Sequence, residues 1–306
     1  MKIARLLLLS TISLAVIAAS ADARVVRVEI LSRSDISGTF GDAGVYERIT
    51  GRVYFAFDPR NAENRKIVDL DLAPRNSAGE VEAVSEFVML RPKDPAHSAD
   101  LAVIDIVNRG GITTFVFNLG RTGSASPEAA EFYGDALLMK RGVTIVALGW
   151  QWDVLPGGTA LHFQAPSVGS AQHPITGLVR SDITVDSATN SIPLWHSLAP
   201  TLIYPVADEN DVANILTVRE DPVGPRTVVP RTDWRFARDS SGVAVHDTRW
   251  IYMSKGFTAG RIYEIIYRGG NPVAVGTGLA AVRDVMSYLK YDPSAVAHVK
   301  FGIGYG

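Results

Sequence analysis

Apolar and polar positions alternate or run apolar over residues 25–31, 46–57, 67–72 and 81–90, which predicts strands with one wet face. Asp58-Pro59 and Asn76-Ser77-Ala78-Gly79 supply turn chemistry between them. Residues 101–107 and 143–148 are almost continuously apolar, the pattern of strands covered on both faces. Between those two, residues 126–142 read as a helix. Ser126 stands at the N-cap, Pro127 follows it, acids occupy the first turn, and Lys140-Arg141 precede Gly142. Strand, helix and strand in this order predict a βαβ unit and hence parallel pairing.

Residues from roughly 155 to 252 are rich in Pro, Gly, Ser and Thr, with short β-like runs such as 201–204. They read as an insertion, cap or lid between core elements, since Trp195, Trp234 and Trp250 can bury surface. Residues 260–267 and 273–275 return to strand or extended loop. Residues 279–289 form a helix pattern with Leu279, Val282, Val285, Met286 and Leu289 on one face. Residues 296–306 read as a buried strand running into a glycine corner at Gly306.

A 306-residue chain with 47% hydrophobic residues can build a large core in one or two domains. The net charge of −2 and the scatter of basic residues leave no electrostatic footprint for nucleic acid. Residues 1–23 carry a basic start, a short apolar run and Ala21-Asp22-Ala23, which fits a secretory leader and its cleavage rule. The run is shorter than the roughly 20 residues a membrane span needs. A retained anchor is the alternative; the leader reading makes residues 24–306 an exported protein, periplasmic or secreted, with no membrane span. No cysteine is present, so no disulfide can be invoked.

Candidate chemistry is concentrated after the two apolar strands. Asn108, Arg109, Gly110 and Gly111 follow the first, where serine hydrolases of the α/β type place a backbone N–H donor for the oxyanion. A tight surface turn would use the same residues. Trp150, Gln151, Trp152 and Asp153 follow the second and are pocket candidates, since ligand sites gather at strand ends in open α/β folds. Packing of the strand end competes with that reading.

Other motifs carry less. Gly276-Thr277-Gly278-Leu279-Ala280-Ala281 imitates a dinucleotide fingerprint, but the next strand offers no ribose-binding acid, and close helix-to-sheet packing accounts for the small residues better. A nucleotide-dependent oxidoreductase is thereby disfavoured. Ser287 and Lys290 match S-x-x-K without the companion motifs, and residues 165–169 form an elbow-like pattern followed by His173-Pro174 instead of a helix. The six histidines, His97, His162, His173, His196, His246 and His298, form no metal-ligand spacing. Neither metal nor cofactor is expected.

Taken together, residues 46–53, 107–110, 148–153, 260–264 and 276–284 resemble, in order, segments of a large family of exported bacterial α/β-hydrolase-domain proteins. The resemblance implies an α/β-hydrolase-like, mostly parallel sheet with a β-rich N-terminal part and a large insertion. It also implies a central strand over 296–305, with Gly306 as the first glycine of a nucleophile elbow whose serine lies just beyond it. No catalytic triad residue can then be carried onto this chain. The expected activity is serine hydrolysis of a small-molecule carboxylic ester or related acyl substrate. An exported, non-catalytic ligand-binding protein is the alternative.

Overall fold

The computed structural model describes residues 24–124, 130–170, 172–195 and 203–306. The first sheet begins with β1 (Val25–Asp35), β2 (Tyr46–Phe57) and β3 (Val81–Pro92), joined as antiparallel neighbours. Their alternation does what its period dictates: Tyr46, Ile49, Val53, Phe55 and Phe57 of β2 are buried while Arg52 faces water. β4 (Leu101–Ile106) and β5 (Thr144–Leu148) are the two apolar runs, and they pair in parallel as expected. All five residues of β5 are buried.

The connection between β4 and β5 is not the expected long helix. It holds 3-10 turns at Thr114–Asn118 and Ala130–Phe132 and a single helical turn, α1 (Leu137–Lys140). Gly142 ends this stretch at φ +70°, the left-handed backbone that stops a helix. The expected cap at Ser126 and Pro127 lies outside the described residues. Residues 67–72 also depart from expectation: Asp69 takes φ +61° and Leu70–Leu72 is a 3-10 turn that buries Leu70. With one buried apolar residue per turn, the local alternation has no neighbouring strand to pair with.

Residues 163–257 supply β6 (Phe163–Gln164), β7 (Thr176–Thr184), β8 (Thr189–Pro193), β9 (Ile215–Arg219), β10 (Thr227–Val228), β11 (Trp234–Ser240) and β12 (Val243–Phe257). β13 (Ile262–Gly270) follows, then α2 (Thr277–Tyr291) and β14 (Phe301–Tyr305). The first sheet runs β1-β2-β3-β5-β4-β14, with β6 beside β3. A four-stranded sheet, β10-β9-β13-β7, and a three-stranded sheet, β11-β12-β8, are antiparallel throughout. They enclose their own core of Trp234, Phe236, Ile251, Tyr263, Ile265 and Tyr267.

This architecture corrects the expected α/β-hydrolase-like fold. Parallel pairing among the described residues is confined to β4–β5 and β4–β14, and α2 is the one α-helix among them longer than a single turn. Strands dominate, and the sheets are mixed or antiparallel. The cause is visible in the chain: long hairpin strands fill the N-terminal third, and the Pro- and Gly-rich stretch pairs into further antiparallel strands where a doubly covered parallel sheet would need helices.

The first sheet is nevertheless covered on both faces. α2 packs Ala281, Val285, Tyr288 and Leu289 onto one face, while Ile112, Phe115, Tyr133 and Met139 cover the other. The buried stripe of α2 is rotated from the expected one, leaving Leu279 59% exposed. β14 differs more. It lies at the edge of the sheet, paired only with β4, and Phe301 and Ile303 are exposed. The buried, central strand expected over 296–305 is therefore an edge strand five residues long.

Candidate functional site

The ends of β4 and β5 bring the two groups of sequence candidates into contact. Asn108 and Gly111 bridge across a turn in which Arg109 and Gly110 take φ +52° and +78°, the signs of a type I′ turn. Gly110 is required twice over: its φ is left-handed, and an added Cβ would meet Leu161 N at 2.5 Å. Gln151 accepts the Arg109 N–H through Oε1 at 2.6 Å, and the Arg109 guanidinium pairs with Asp153 at 2.7 Å. Trp150 donates its indole N–H to Val107 O at 2.7 Å. Both candidate segments are thus one hydrogen-bonded unit.

That unit is held from below by Asp105, which is fully buried near the end of β4. Its carboxylate accepts four hydrogen bonds, from the backbone N–H and hydroxyl groups of Thr113 and Thr114, at 2.6–2.9 Å. The loop between Asp105 and Thr113 is thereby closed on itself. A lone acid inside an otherwise apolar strand was the signal for this anchor in the sequence, because a charge survives there only when fully hydrogen-bonded.

As an oxyanion site the turn is already engaged in this conformation. The Arg109 N–H is spent on Gln151, and the Gly111 N–H donates to Asn108 O at 3.2 Å. Gly306 lies at the same end of the sheet, where an added Cβ would stand 2.8 Å from Ile106 O. The neighbouring Tyr305 ring meets Phe117 edge-on at 4.7 Å.

Beside this unit opens a cleft of about 250 Å³ lined by Trp152, Asp153, Val179, Trp195, Ile203, Tyr204, Tyr267 and Val275. Its walls come from the β5 exit, from β7 and β13 of the four-stranded sheet, and from the approach to α2. The Trp152 and Tyr204 rings stack with centroids 5.0 Å apart and planes 6° from parallel. Burial pushes the Tyr204 phenol up, the Val273 backbone N–H opposes this, and Asp153 adds to the rise. Tyr267 donates to Tyr204 O at 2.9 Å, which fixes the floor. A second hollow of similar volume shares Trp152, Ile203 and Tyr204 and is bounded by His162 and Arg249.

Trp152 and Asp153 are therefore pocket residues, whereas Trp150 and Gln151 hold the turn behind them. Of the three insertion tryptophans, Trp195 lines the cleft and Trp234 is core. Tyr204, Tyr267 and Val179 escaped sequence reasoning. They come from segments far apart in the chain, and no local spacing links them.

The glycines near the start of α2 serve packing, as their small size suggests. A Cβ on Gly278 would sit 2.0 Å from Trp150 O. His162 holds Val154 O with Nδ1 at 2.5 Å, His246 pairs with Glu209, and His298 is exposed. Among the described residues no group of His, Cys, Asp and Glu could hold a metal ion, and no helix is long and apolar enough to cross a membrane. Searches against protein-family models, curated proteins and solved structures returned no match.

Proposed function

We propose that this chain binds a small molecule with a flat apolar body in the cleft between the β5 exit and the antiparallel sheets. The observation that carries this reading is the wall itself: Trp152, Trp195, Tyr204 and Tyr267 converge on one cavity with a single carboxylate, Asp153, at its edge. A mostly apolar concavity with few fixed polar groups is the usual form of a small-molecule site. Arg109 neutralises Asp153, so the cleft selects for shape and aromatic contact over cationic charge.

Tryptophan fluorescence titrated with a panel of aryl and short acyl esters tests the reading. Trp152→Ala should weaken binding by about tenfold or more, since a stacked aromatic contact adds about 0.5–1.5 kcal/mol beyond its buried area. Equal affinity in the variant, or no saturable quenching with any probe, would end it.

A second reading, hydrolysis of an acyl ester bound in this cleft by a serine, is favoured by a separate observation. The 108–111 turn, the 150–153 segment and Gly306 all stand at the C-terminal ends of the three parallel strands. Reactive groups collect at such ends in parallel sheets. Fluorophosphonate labelling of the protein tests this reading, and an unlabelled product rejects it. The leader expected over residues 1–23 would place either activity outside the cytoplasm.

A further inference from the structure

Two large apolar side chains that the fold leaves outside its core flank one groove. Val68 is 76% exposed and Leu279 is 59% exposed. Asp69 takes left-handed backbone at φ +61°, and the turn that follows sends Leu70 into the core while Val68 stays in water. On α2 the buried stripe runs through Ala281, Val285 and Leu289, and Leu279 falls outside it. Between these two segments opens a groove of about 540 Å³ whose apolar lining is Ile67, Val68, Val273, Val275, Leu279 and Ala280. Apolar residues exposed singly are ordinary, but several gathered along one concavity form a contact surface.

The groove is continuous with the aromatic cleft. Val275 lines both, and Val273 lines the groove and the hollow bounded by His162 and Arg249. The ridge that carries them is fixed. Ala274 N donates to Pro166 O and Val168 N to Pro272 O, each at 2.9 Å. Ala274 is buried in the core, so the alternation of extended chain turns Val273 and Val275 outward. On the groove side Ile67 closes on the start of α2, where a Cβ added to Gly276 would stand 3.2 Å from Ile67 Cγ2. A molecule that crosses Val275 therefore passes from an aromatic wall to an aliphatic one.

Charge at the groove's rim is already engaged. Lys66 pairs with Glu63 at 2.6 Å, and Arg283 serves Asp284 at 2.7 Å and Asn64 Oδ1 at 2.8 Å. Both cations of the lining are thus spent within the chain, which favours an uncharged occupant over an anionic one.

We propose that this groove holds an unbranched aliphatic chain belonging to the ligand of the aromatic cleft. The ligand is then an aryl–alkyl molecule with its ring beside Trp152 and its tail between Val68 and Leu279. The inference rests on the cleft being a ligand site and adds that affinity grows with the length of the tail.

Calorimetric titration with alkyl para-hydroxybenzoates, from the methyl to the octyl ester, tests it. The methyl ester occupies the cleft alone. Each further methylene that reaches the groove should tighten binding about two- to fourfold, the upper figure corresponding to full burial. Leu279→Glu puts a charge at an exposed helix position. It should leave the methyl ester's affinity within about twofold and weaken the octyl ester about tenfold or more. Val68→Asp should do the same from the opposite wall, and it decides alone if Leu279→Glu fails to fold. A chain length that adds nothing in the natural protein, or an octyl ester bound equally well by the variants, overturns the groove, while a bound methyl ester keeps the cleft. No binding by any member of the series overturns both.

Discussion

Asp105 offers the sharpest quantitative test of how the site is held. Three donors converge on its Oδ2, namely Thr113 N, Thr114 N and Thr114 Oγ1, and Thr113 Oγ1 reaches Oδ1. Asp105→Ala removes every acceptor and leaves the backbone N–H groups of Thr113, half-buried, and Thr114, buried, without these partners. Each such group costs about 1–3 kcal/mol, and bonds to a charged acceptor are at the upper end, so a loss of about 4 kcal/mol is expected. Asp105→Asn behaves differently. Its Oδ1 can take the place of Oδ2 and keep three bonds, while Nδ2 donates to Thr113 Oγ1 once that hydroxyl turns. Only the charge is lost, which should cost about 1–2 kcal/mol. Urea unfolding followed by tryptophan fluorescence measures both, provided the slope m is unchanged. The alanine variant should also weaken ligand binding in the cleft, because the loop between Asp105 and Thr113 carries the Arg109 partner of Asp153. An alanine variant that loses under about 1 kcal/mol, or an asparagine variant as damaged as the alanine one, would refute this account of the anchor.

Three further outcomes follow from individual groups. Gly278→Ala should destabilise by about 2–3 kcal/mol, read as a fall in melting temperature, because its Cβ would collide with Trp150 O and force α2 away from the site. Tyr46 and Tyr267 are buried and donate to Val143 O and Tyr204 O, and burial pushes both phenols well above 10. The unfolded chain loses these protons near pH 10 while the native state keeps them, so stability should fall as pH rises beyond 10, with their absorbance at 295 nm appearing only on unfolding. Glu264 is held by Arg180 and, against the effect of burial, by Arg226, which brings its carboxyl from the ordinary 4.5 down to about 2. Its contribution is complete above pH 4.5 and lost as pH falls toward 2, so Glu264→Gln should flatten the acid limb of the pH–stability curve over that window.

Period and burial were legible wherever the chain repeats a simple pattern. β2 occupies the residues its alternation marks, and the apolar runs at β4 and β5 became parallel neighbours. Topology was not legible at the same level. The helix signals over 126–142 are all local, but the described part of that stretch is tied by Arg121 to Glu131 and Asn118 to Asp135 backbone bonds that pull it into 3-10 turns. The apolar residues at 301 and 303 read as core because hydrophobicity does not distinguish a covered strand from an exposed edge. Likewise the cleft was half visible: Trp152 and Asp153 stand in one conspicuous segment, while Val179, Tyr204 and Tyr267 reach it only through the pairing of β7 with β13 and the bond from Tyr267 to Tyr204.

The cleft's position explains why its two halves need each other. On the side of the first sheet, Trp152 and Asp153 follow a strand whose five residues are all buried, so their backbone is rigid. On the other side, Tyr204 is held through its carbonyl by a tyrosine of the four-stranded sheet. The stacked Trp152 and Tyr204 rings join these two supports across the cavity. A ligand seated against both rings adds contacts that exist only when the supports are assembled, and it therefore stabilises the folded chain by mass action: about 2.7 kcal/mol at a hundredfold excess over its dissociation constant. Under the proposed binding function, the same linkage would make Asp105 and Gly278, which do not line the cavity, determinants of affinity. Each fixes the segment from which Trp152 projects, one through the turn that Gln151 and Asp153 grip, the other through the carbonyl of Trp150.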